Sequence, residues 1–533
     1  MANIPRPPVD EAQIRACSPE SAPRGASWTG AWVLVATILA SSMAFIDGTI
    51  TNVALPVLQE DLGASAAEAL WVVEAYALFL AALILVGGSL GDHLGRRRVF
   101  LFGVVVFTVA SVGCGLAQNP EGLIVARAVS GIGGALMVPG SLAIVGNYFS
   151  EEERGRAIGT WSGFSGITTA LGPVVGGFLI ENVSWRAAFF LNVPIALIVV
   201  LVALRYVPES FDPDARRLDL PGAALATLGL GGVVFALIEA PVRGLSDGLV
   251  VVSGLVGVVS LAGFVFVEGR SAEPMMPLSL FRSRLFGGAN LLTFLLYAGL
   301  GGALYFLPFN LIQVHGYSAT AAGSAFLPFV VLTFLLSRWA GGLVPRIGPR
   351  PPLVVGPCVA ALGFVLFALP GTGGSYWGTF FPAIVVLGLG MSLVIAPLTT
   401  TALGAVDDAQ AGLASGVNNA VSRIGGLLAV PVMGAVVLAA FSFGLEARLA
   451  DLDLPPDAEE RILADRNSLA GLTVPDGLSG EQAADVEGAV GESFVGGFRL
   501  VMLLAAGLAL ASALAAATIL PSSRKGSPPG PSP

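Results

Sequence analysis

The sequence predicts an all-α membrane protein of fourteen spans, built as two six-helix halves with two extra central helices between them. Three observations carry that prediction. Of the 533 residues 55% are apolar and 12% charged, about half of the roughly 25% charged residues found in a soluble domain. Apolar stretches of about 20 residues, the helix length that crosses a hydrocarbon core, recur along the whole chain. Gly88-Ser-Leu-Gly-Asp92-His-Leu-Gly95-Arg-Arg97 is echoed 253 residues later by Gly341-Gly-Leu-Val-Pro-Arg-Ile-Gly348-Pro-Arg350.

Taken in order, residues 1–29 are polar and proline-rich with no short apolar core, so a cytoplasmic tail is expected rather than a cleaved signal peptide. The first half, 30–206, holds spans at about 30–53, 68–88, 98–117, 121–146, 155–180 and 186–206. Residues 207–285 form a linker that carries spans 7 and 8, at about 219–240 and 246–267. The second half, 286–520, holds spans at about 286–309, 319–343, 352–370, 377–400, 411–440 and 496–520. A cytoplasmic tail, 521–533, closes the chain. The repeat places its two copies at the ends of spans 2 and 10, an offset of eight helices, which two six-helix halves and an inserted pair produce. Related halves of this kind are a usual transporter construction.

Arginine and lysine bias orients the spans. With the N-terminus inside, nineteen of the 27 basic residues fall on inner segments or inner helix ends, and the short outer loops hold only Arg186 and Arg243. Both termini are then cytoplasmic. The acidic loop 441–495 faces outward; within it Ser442 to Phe494 carries twelve acids against three arginines, which accounts for the whole formal charge of −9. Apolar residues recur among the acids at helical spacing over Leu445 to Leu463, Thr473 to Gly480 is turn-rich, and Gln482 to Val490 is a second helical candidate. A small helical hairpin over the exit pathway is expected there.

Several chemistries are excluded or unsupported. Cys17, Cys114 and Cys358 are too scattered for a disulfide framework or a metal set, and neither a nucleophile–base pair nor a metal cluster points to an enzyme. The single lysine, Lys525, precedes a glycine, so no Walker A loop drives this chain. Gly131-Ile-Gly133-Gly134 lies inside an apolar span and follows no strand, so it is discounted as a cofactor loop. No cofactor and no metal are expected.

Ionisable residues inside a bilayer cost roughly 2.5–3.5 kcal/mol each on insertion scales and are functional candidates by default. Asp47, Glu74 and Arg127 stand about six or seven residues below the outer ends of spans 1, 2 and 4, at about 1.5 Å per residue a common depth of roughly 9–10 Å. Two carboxylates and one guanidinium at one level either neutralise each other or compete as one acid takes up a proton. A purely structural ion pair, or a Glu74 that reaches the interface, is the plainer alternative. Gly88 to Arg98 forms a second group: Gly88 and Gly91 permit close helix contact, Gly95 suits a reversal, and Arg96, Arg97 and Arg98 anchor the loop. Asp92 is placed to accept from the amide end of an inward-starting helix, a contact of about 0.3–1 kcal/mol. Span 5 gathers Gly163, Gly166, Gly172, Pro173, Gly176 and Gly177, which suit a hinge or seal. Phe45, Trp71, Tyr76, Tyr297, Tyr305, Phe309 and Phe326 either line a pocket for a flat apolar compound or pack helices and face lipid.

From about residue 30 to 520 these motifs together resemble the major facilitator superfamily, and within it the fourteen-spanner drug:proton antiporters of the EmrB/QacA type. The residues that carry the resemblance are Phe45-Ile-Asp47-Gly-Thr49-Ile-Thr-Asn52-Val-Ala-Leu-Pro56, Trp71-Val-Val-Glu-Ala-Tyr76, Gly88 to Arg98, Arg127-Ala-Val-Ser-Gly131, Gly172-Pro173-Val-Val-Gly176-Gly177 and Trp185-Arg186-Ala-Ala-Phe-Phe-Leu-Asn192-Val-Pro194. The resemblance implies the major facilitator fold and drug or antibiotic export by alternating access in the cytoplasmic membrane. It implies proton coupling at Asp47 and Arg127, a conformational gate at Gly88, Asp92, Gly95, Arg96 and Arg97, and an antiporter hinge at Gly172, Pro173, Gly176 and Gly177. The partners implied are protons, a small hydrophobic or amphiphilic substrate and the lipid bilayer, with no nucleic acid, and the chain acts as a monomer. Glu74 stands where the family pattern has a small polar residue and adds a second protonation site, and Thr168 replaces a glycine. No acid occurs between Glu273 and Asp407, so a neutral, anionic or singly charged amphiphile fits as well as a dication. Export of an endogenous metabolite, lipid or siderophore is the alternative on the same fold, and a non-transporting receptor or scaffold the alternative outside it.

Overall fold

A computed structural model describes residues 27–212, 218–406, 411–475 and 477–521, so the expected tails lie almost wholly outside the described residues. All fourteen apolar stretches are helical. Spans 1 to 6 are Ser27–Leu62, Ala66–Leu94, Arg96–Leu116, Pro120–Tyr148, Glu151–Asn182 and the consecutive pieces Trp185–Phe190 and Asn192–Tyr206. Spans 7 and 8 are Leu220–Arg243 and Gly248–Glu268. Spans 9 to 14 are Arg284–Phe309, the pieces Ala319–Ala325 and Leu327–Gly341, then Arg350–Ala368, Phe381–Leu403, Ala411–Leu449 and Gly480–Ile519. Thirteen of these are long and apolar enough to cross a membrane. Span 5 is a helix of 32 residues, Glu151–Asn182, with most of its charged residues gathered at the start. Among the described residues there is no strand.

Local chemistry sets the helix ends. Ser65 closes a capping box on span 2, accepting from the Glu68 amide while Glu68 accepts from the Ser65 amide at 2.8 Å, an arrangement that satisfies two orphan donors. Gly95 and Gly348, the matching glycines of the repeat, both take positive φ, +106° and +83°. Each donates its amide back into the preceding turn, to Gly91 O at 3.1 Å and Val344 O at 3.0 Å. A left-handed residue suits glycine alone among residues without a local side-chain bond, so the two halves share a turn as well as a sequence pattern.

Each half packs within itself, spans 2, 3 and 4 and spans 1 and 5 in the first, spans 9, 11, 12, 13 and 14 in the second. Span 7 lies against spans 2 and 13, while span 8 leans mainly on span 7. Its outer side exposes Leu249, Val252, Leu255, Val258 and Val259, a face suited to lipid. The halves meet along spans 2 and 13 and, at one end of the bundle, where the start of span 10 presses on the end of span 5. That end carries the connection between spans 13 and 14 and is called the lid face; the first and last described residues, Ser27 and Pro521, lie at the opposite, terminal face.

The acidic segment is not a separate hairpin. Span 13 runs into the first five residues of the expected first helix and ends at Leu449, a helix of 39 residues; Pro456–Ala464 is a separate short helix within the rest of that candidate; and span 14 begins at Gly480, absorbing the second candidate into a helix of 40 residues. At 1.5 Å per residue spans 13 and 14 are each about 60 Å long, twice a hydrocarbon core. Charged residues outside lipid continue an established helix at no nucleation cost, which is why the start of the first candidate and the whole of the second extend the spans. Between them sit only the short helix Pro456–Ala464 and the 3-10 turn Arg466–Gly471. This lid is tied down by Gln59 Nε2 donating to Ser468 O at 3.3 Å, Gln482 Nε2 to Asp453 O at 2.8 Å, and Arg448 Nε to Glu492 Oε2 at 3.1 Å.

Candidate functional site

Span 1 also outruns its expected end. It continues through Pro56 to Leu62, where Asp61 Oδ2 accepts from Trp185 Nε1 at 2.8 Å and Arg186 Nη1 at 2.9 Å. Asp47 is therefore not seven residues below the end of its helix but 15, since the helix ends at Leu62. Arg127 and Glu74 remain within the first turns of spans that begin at Pro120 and Ala66. Asp47 and Arg127 come together because span 1 overshoots, not because their distances from the helix ends match.

Arg127 and Asp47 form an ion pair with 1% and 2% of their side chains exposed. Arg127 Nη1 donates to Asp47 Oδ2, its Nε donates to the Val72 carbonyl at 3.0 Å, and its guanidinium lies 4.4 Å from the centre of the Tyr76 ring. Tyr76 is held by its hydroxyl, which donates to the Ala44 carbonyl at 3.0 Å. One side chain of span 4 thus joins spans 1 and 2. Removing one partner of such a pair leaves an uncompensated charge and costs about 3–5 kcal/mol, so the pair is sensitive to anything that neutralises Asp47.

Glu74 does not join them. It is 1% exposed, makes no ion pair among the described residues, and its Oε2 has no hydrogen-bond partner. Its burial also corrects the alternative that it reaches the interface. A second intramembrane arginine, not among the site residues expected from sequence, is Arg423, which lies twelve positions into span 13, starting at Ala411. The signal was a charge inside an apolar run.

At the terminal face Asp92 does not take a helix amide. Its Oδ1 accepts from Arg96 Nε and Nη2, both at 2.8 Å, one turn along the chain. The amide end of span 3 is served by Glu209, which accepts from Arg97 N at 3.0 Å and lies 3.7 and 3.6 Å from the Arg97 and Arg98 side chains. Arg96 N donates to Ser210 O at 2.8 Å and Asp212 N to Asp92 O at 2.9 Å. Glu209 was invisible because it sits over a hundred residues away, in a polar linker with no periodic pattern. Gly95 turns the chain between these groups, and Gly88 faces Pro139 of span 4, 3.6 Å from where its Cβ would be.

The span 5 glycines are contact points. A Cβ on Gly172 would lie 3.3 Å from Thr49 Cβ, and one on Gly176 2.8 Å from Ile50 Cγ1, both on span 1. Gly177 faces the other half: its Cβ would lie 2.7 Å from Ala319 C and from Thr320 Cα. Pro173 answers with its carbonyl carbon, 2.6 Å from a Cβ on Gly323. Beside them Thr320 N donates to Glu181 Oε2 at 3.2 Å. Thr168 meets span 1 through a hydrogen bond, receiving the Ser42 hydroxyl at 2.9 Å.

The aromatics divide. Trp71 turns to the extra pair, donating its Nε1 to Glu239 Oε1 at 3.0 Å. Tyr305 meets Phe306 edge-on, Phe309 lies tilted against both, and Tyr305 and Phe309 line an apolar recess roofed by Leu469 of the lid. Phe326 is buried at the break in span 10, where Pro328 removes a helical amide. Phe45 and Tyr297 are partly exposed, and Tyr76 is buried over Arg127.

The sequence pattern described as Major Facilitator Superfamily matches residues 37–430. The chain is 36% identical over 438 residues to the Multidrug resistance protein Stp of Mycobacterium tuberculosis, 81% of this chain and 80% of that protein. It is 33% identical over 516 residues to the Tetracenomycin C resistance and export protein of Streptomyces glaucescens, 95% and 94% of the two chains. Among solved structures, a bacterial homolog to the human lysosomal transporter Spinster, inward-facing and unoccupied, superposes with a TM-score of 0.66 over 93% of this chain and 100% of that one at 17% identity, a likeness of fold. The chain belongs to the Major Facilitator Superfamily and is a multi-pass membrane protein.

Proposed function

We propose that this member of the superfamily is a proton-coupled antiporter that exports hydrophobic or amphiphilic drugs or antibiotics across the cytoplasmic membrane by alternating access. Both termini face the cytoplasm and the lid faces out, and the chain works as a monomer. The observation that carries the reading is the buried Asp47–Arg127 pair. Binding an apolar drug needs no ion pair at such a site, whereas coupling to protons needs a carboxylate whose charge matters. A proton on Asp47 removes the charge that neutralises Arg127, leaving the guanidinium with the Val72 carbonyl and the Tyr76 ring. The tie between spans 1 and 4 then depends on protonation, and Glu74 adds a second proton-carrying group.

The hinge residues Gly172, Pro173, Gly176 and Gly177 close the lid face when spans 5 and 10 touch. Gly88, Asp92, Gly95, Arg96 and Arg97 govern the terminal face. Phe45, Tyr76 and Tyr297 serve the substrate, while Trp71, Tyr305, Phe309 and Phe326 hold helices. Energy comes from the proton gradient, with the membrane potential adding about 2.3 kcal/mol per charge per 100 mV.

Proteoliposomes with an imposed pH gradient test this, using puromycin, ethidium and N-phenyl-1-naphthylamine as substrates. Accumulation driven by the gradient and abolished by a proton ionophore is expected for at least one of them. Transport that persists after the gradient is collapsed refutes the coupling.

A further inference from the structure

Arg423 is a cation without a counter-ion among the described residues, at the seam between the halves. From its place in span 13, which starts at Ala411, it lies about 18 Å from the terminal-face end of the helix at about 1.5 Å per residue. It makes no ion pair among the described residues, in contrast to Arg127. Its Nε donates to Asn419 Oδ1 at 3.1 Å, and no other protein hydrogen bond holds the guanidinium among the described residues. The titratable groups within its electrostatic reach are Tyr76 and Tyr297, neither of them a carboxylate.

Helical spacing shows which way it points. A Cβ on Gly416 would lie 3.1 Å from Leu85, and one on Gly434 3.0 Å from Leu70, both residues of span 2. Positions 416, 423 and 434 are two and three turns apart and share one face of span 13. Arg423 therefore projects toward span 2 of the opposite half, where Tyr76 stands between Leu70 and Leu85. The rotation of span 13 is held by Asn418, whose Nδ2 donates to Thr293 Oγ1 at 2.8 Å and Asn290 Oδ1 at 3.2 Å on span 9. Arg423 is partly exposed despite its depth, so it borders the space between the halves.

An arginine at such depth is expensive unless something neutralises it. The second half has no acid between Glu273 and Asp407, Asp47 is already bound to Arg127, and Glu74 of span 2 makes no ion pair with Arg423, its Oε2 being buried without a hydrogen-bond partner among the described residues. We infer that the missing counter-charge is brought by the substrate: the cleft takes a singly anionic aromatic amphiphile whose carboxylate or sulfonate pairs with Arg423 and whose ring lies beside Tyr76 and Tyr297. The guanidinium offers a planar fork of donors that matches such a group. The inference rests on the reading of the chain as an exporter, and it names the class of compound that the exporter prefers.

Three probes with one ring and different charge test it: naphthalene-2-sulfonate, naphthalene-2-methanol and 2-naphthyltrimethylammonium. Their binding to the full-length protein in lipid nanodiscs is measured by titration calorimetry with no proton gradient. The sulfonate is expected to bind at least tenfold tighter than the alcohol, and the ammonium weakest. In R423Q the sulfonate loses about tenfold while the alcohol changes less than twofold; R423K keeps most of the preference, and an unchanged melting temperature shows that the variants fold. Absence of sulfonate binding by the wild type, no preference for the sulfonate, or an equal loss for all three probes in R423Q overturns the assignment. Because no gradient is present, this failure is distinct from failure of proton coupling, which the proteoliposome assay reads.

Discussion

Adding one methyl group at Gly177 should open the lid face. The backbone of span 10 crosses this glycine so closely that a Cβ there would lie 2.7 Å from Ala319 C and from Thr320 Cα. Carbon atoms in contact ordinarily stand about 3.5–4.0 Å apart, so G177A forces the two helices apart by roughly 1 Å. Both atoms are backbone, which cannot swing away as a flexible side chain would. Overpacking of this size costs about 1–3 kcal/mol. The cost falls only on the conformation in which spans 5 and 10 touch, so the equilibrium between the two faces shifts by about 5- to 150-fold toward the conformation closed at the terminal face. Spin labels at Arg156→Cys and Arg346→Cys, both exposed on terminal-face segments of spans 5 and 10, report the change once Cys17, Cys114 and Cys358 are replaced. The prediction is growth of a shorter-distance population in double electron–electron resonance. A distance distribution identical to that of the parent, with unchanged melting temperature, would refute the idea that this contact seals the lid face.

Two further outcomes follow from the charged groups. D47N should lower stability by about 3–5 kcal/mol because Arg127 is left buried without its partner, and D47N/R127Q should regain most of that loss in thermal unfolding while remaining unable to couple transport to protons. A single variant as stable as the parent would show that Arg127 finds another neutraliser. E209Q weakens the charge–dipole contact at the start of span 3 by about 0.3–1 kcal/mol; its separation of 3.6–3.7 Å from two partly exposed arginines adds little. Faster amide exchange confined to residues 96–99 is the expected readout, and an unchanged rate there would return the helix end to Asp92.

How far the chain could be read without coordinates depended on the range of the interaction. Span existence follows from local composition, and every apolar stretch is a helix. Span ends did not follow the end of the apolar run, because a helix already nucleated in lipid continues while side chains outside it find partners: Asp61 with Trp185 and Arg186, Arg448 with Glu492. The same cause merged the start of the first acidic candidate and the whole of the second into spans 13 and 14. Asp47 and Arg127 were recognisable because buried charge is rare in such spans. Their pairing, and the exclusion of Glu74 from it, were not, since helix rotation decides which of three groups at similar depth face one another. Trp71 stands in a signature segment of span 2, yet its indole is spent on Glu239 of the extra pair.

By itself the sequence determined that this chain is a bundle of fourteen spans with a repeated half and a charge concentrated in the connection between spans 13 and 14, because hydropathy and net charge are sums over residues that need no partner. It also pointed to the glycine reversal at Gly95, since φ is a property of one residue. Only the tertiary structure decided that Gly348 repeats that reversal, that Asp92 belongs to Arg96 and the span 3 amides to Glu209, that Gly177 is a seam between halves, and that Arg423 points across the contact between spans 13 and 2 with no acid to meet it among the described residues. Those are relations between helices far apart in the chain, set by rotation and register, which one-dimensional periodicity does not contain.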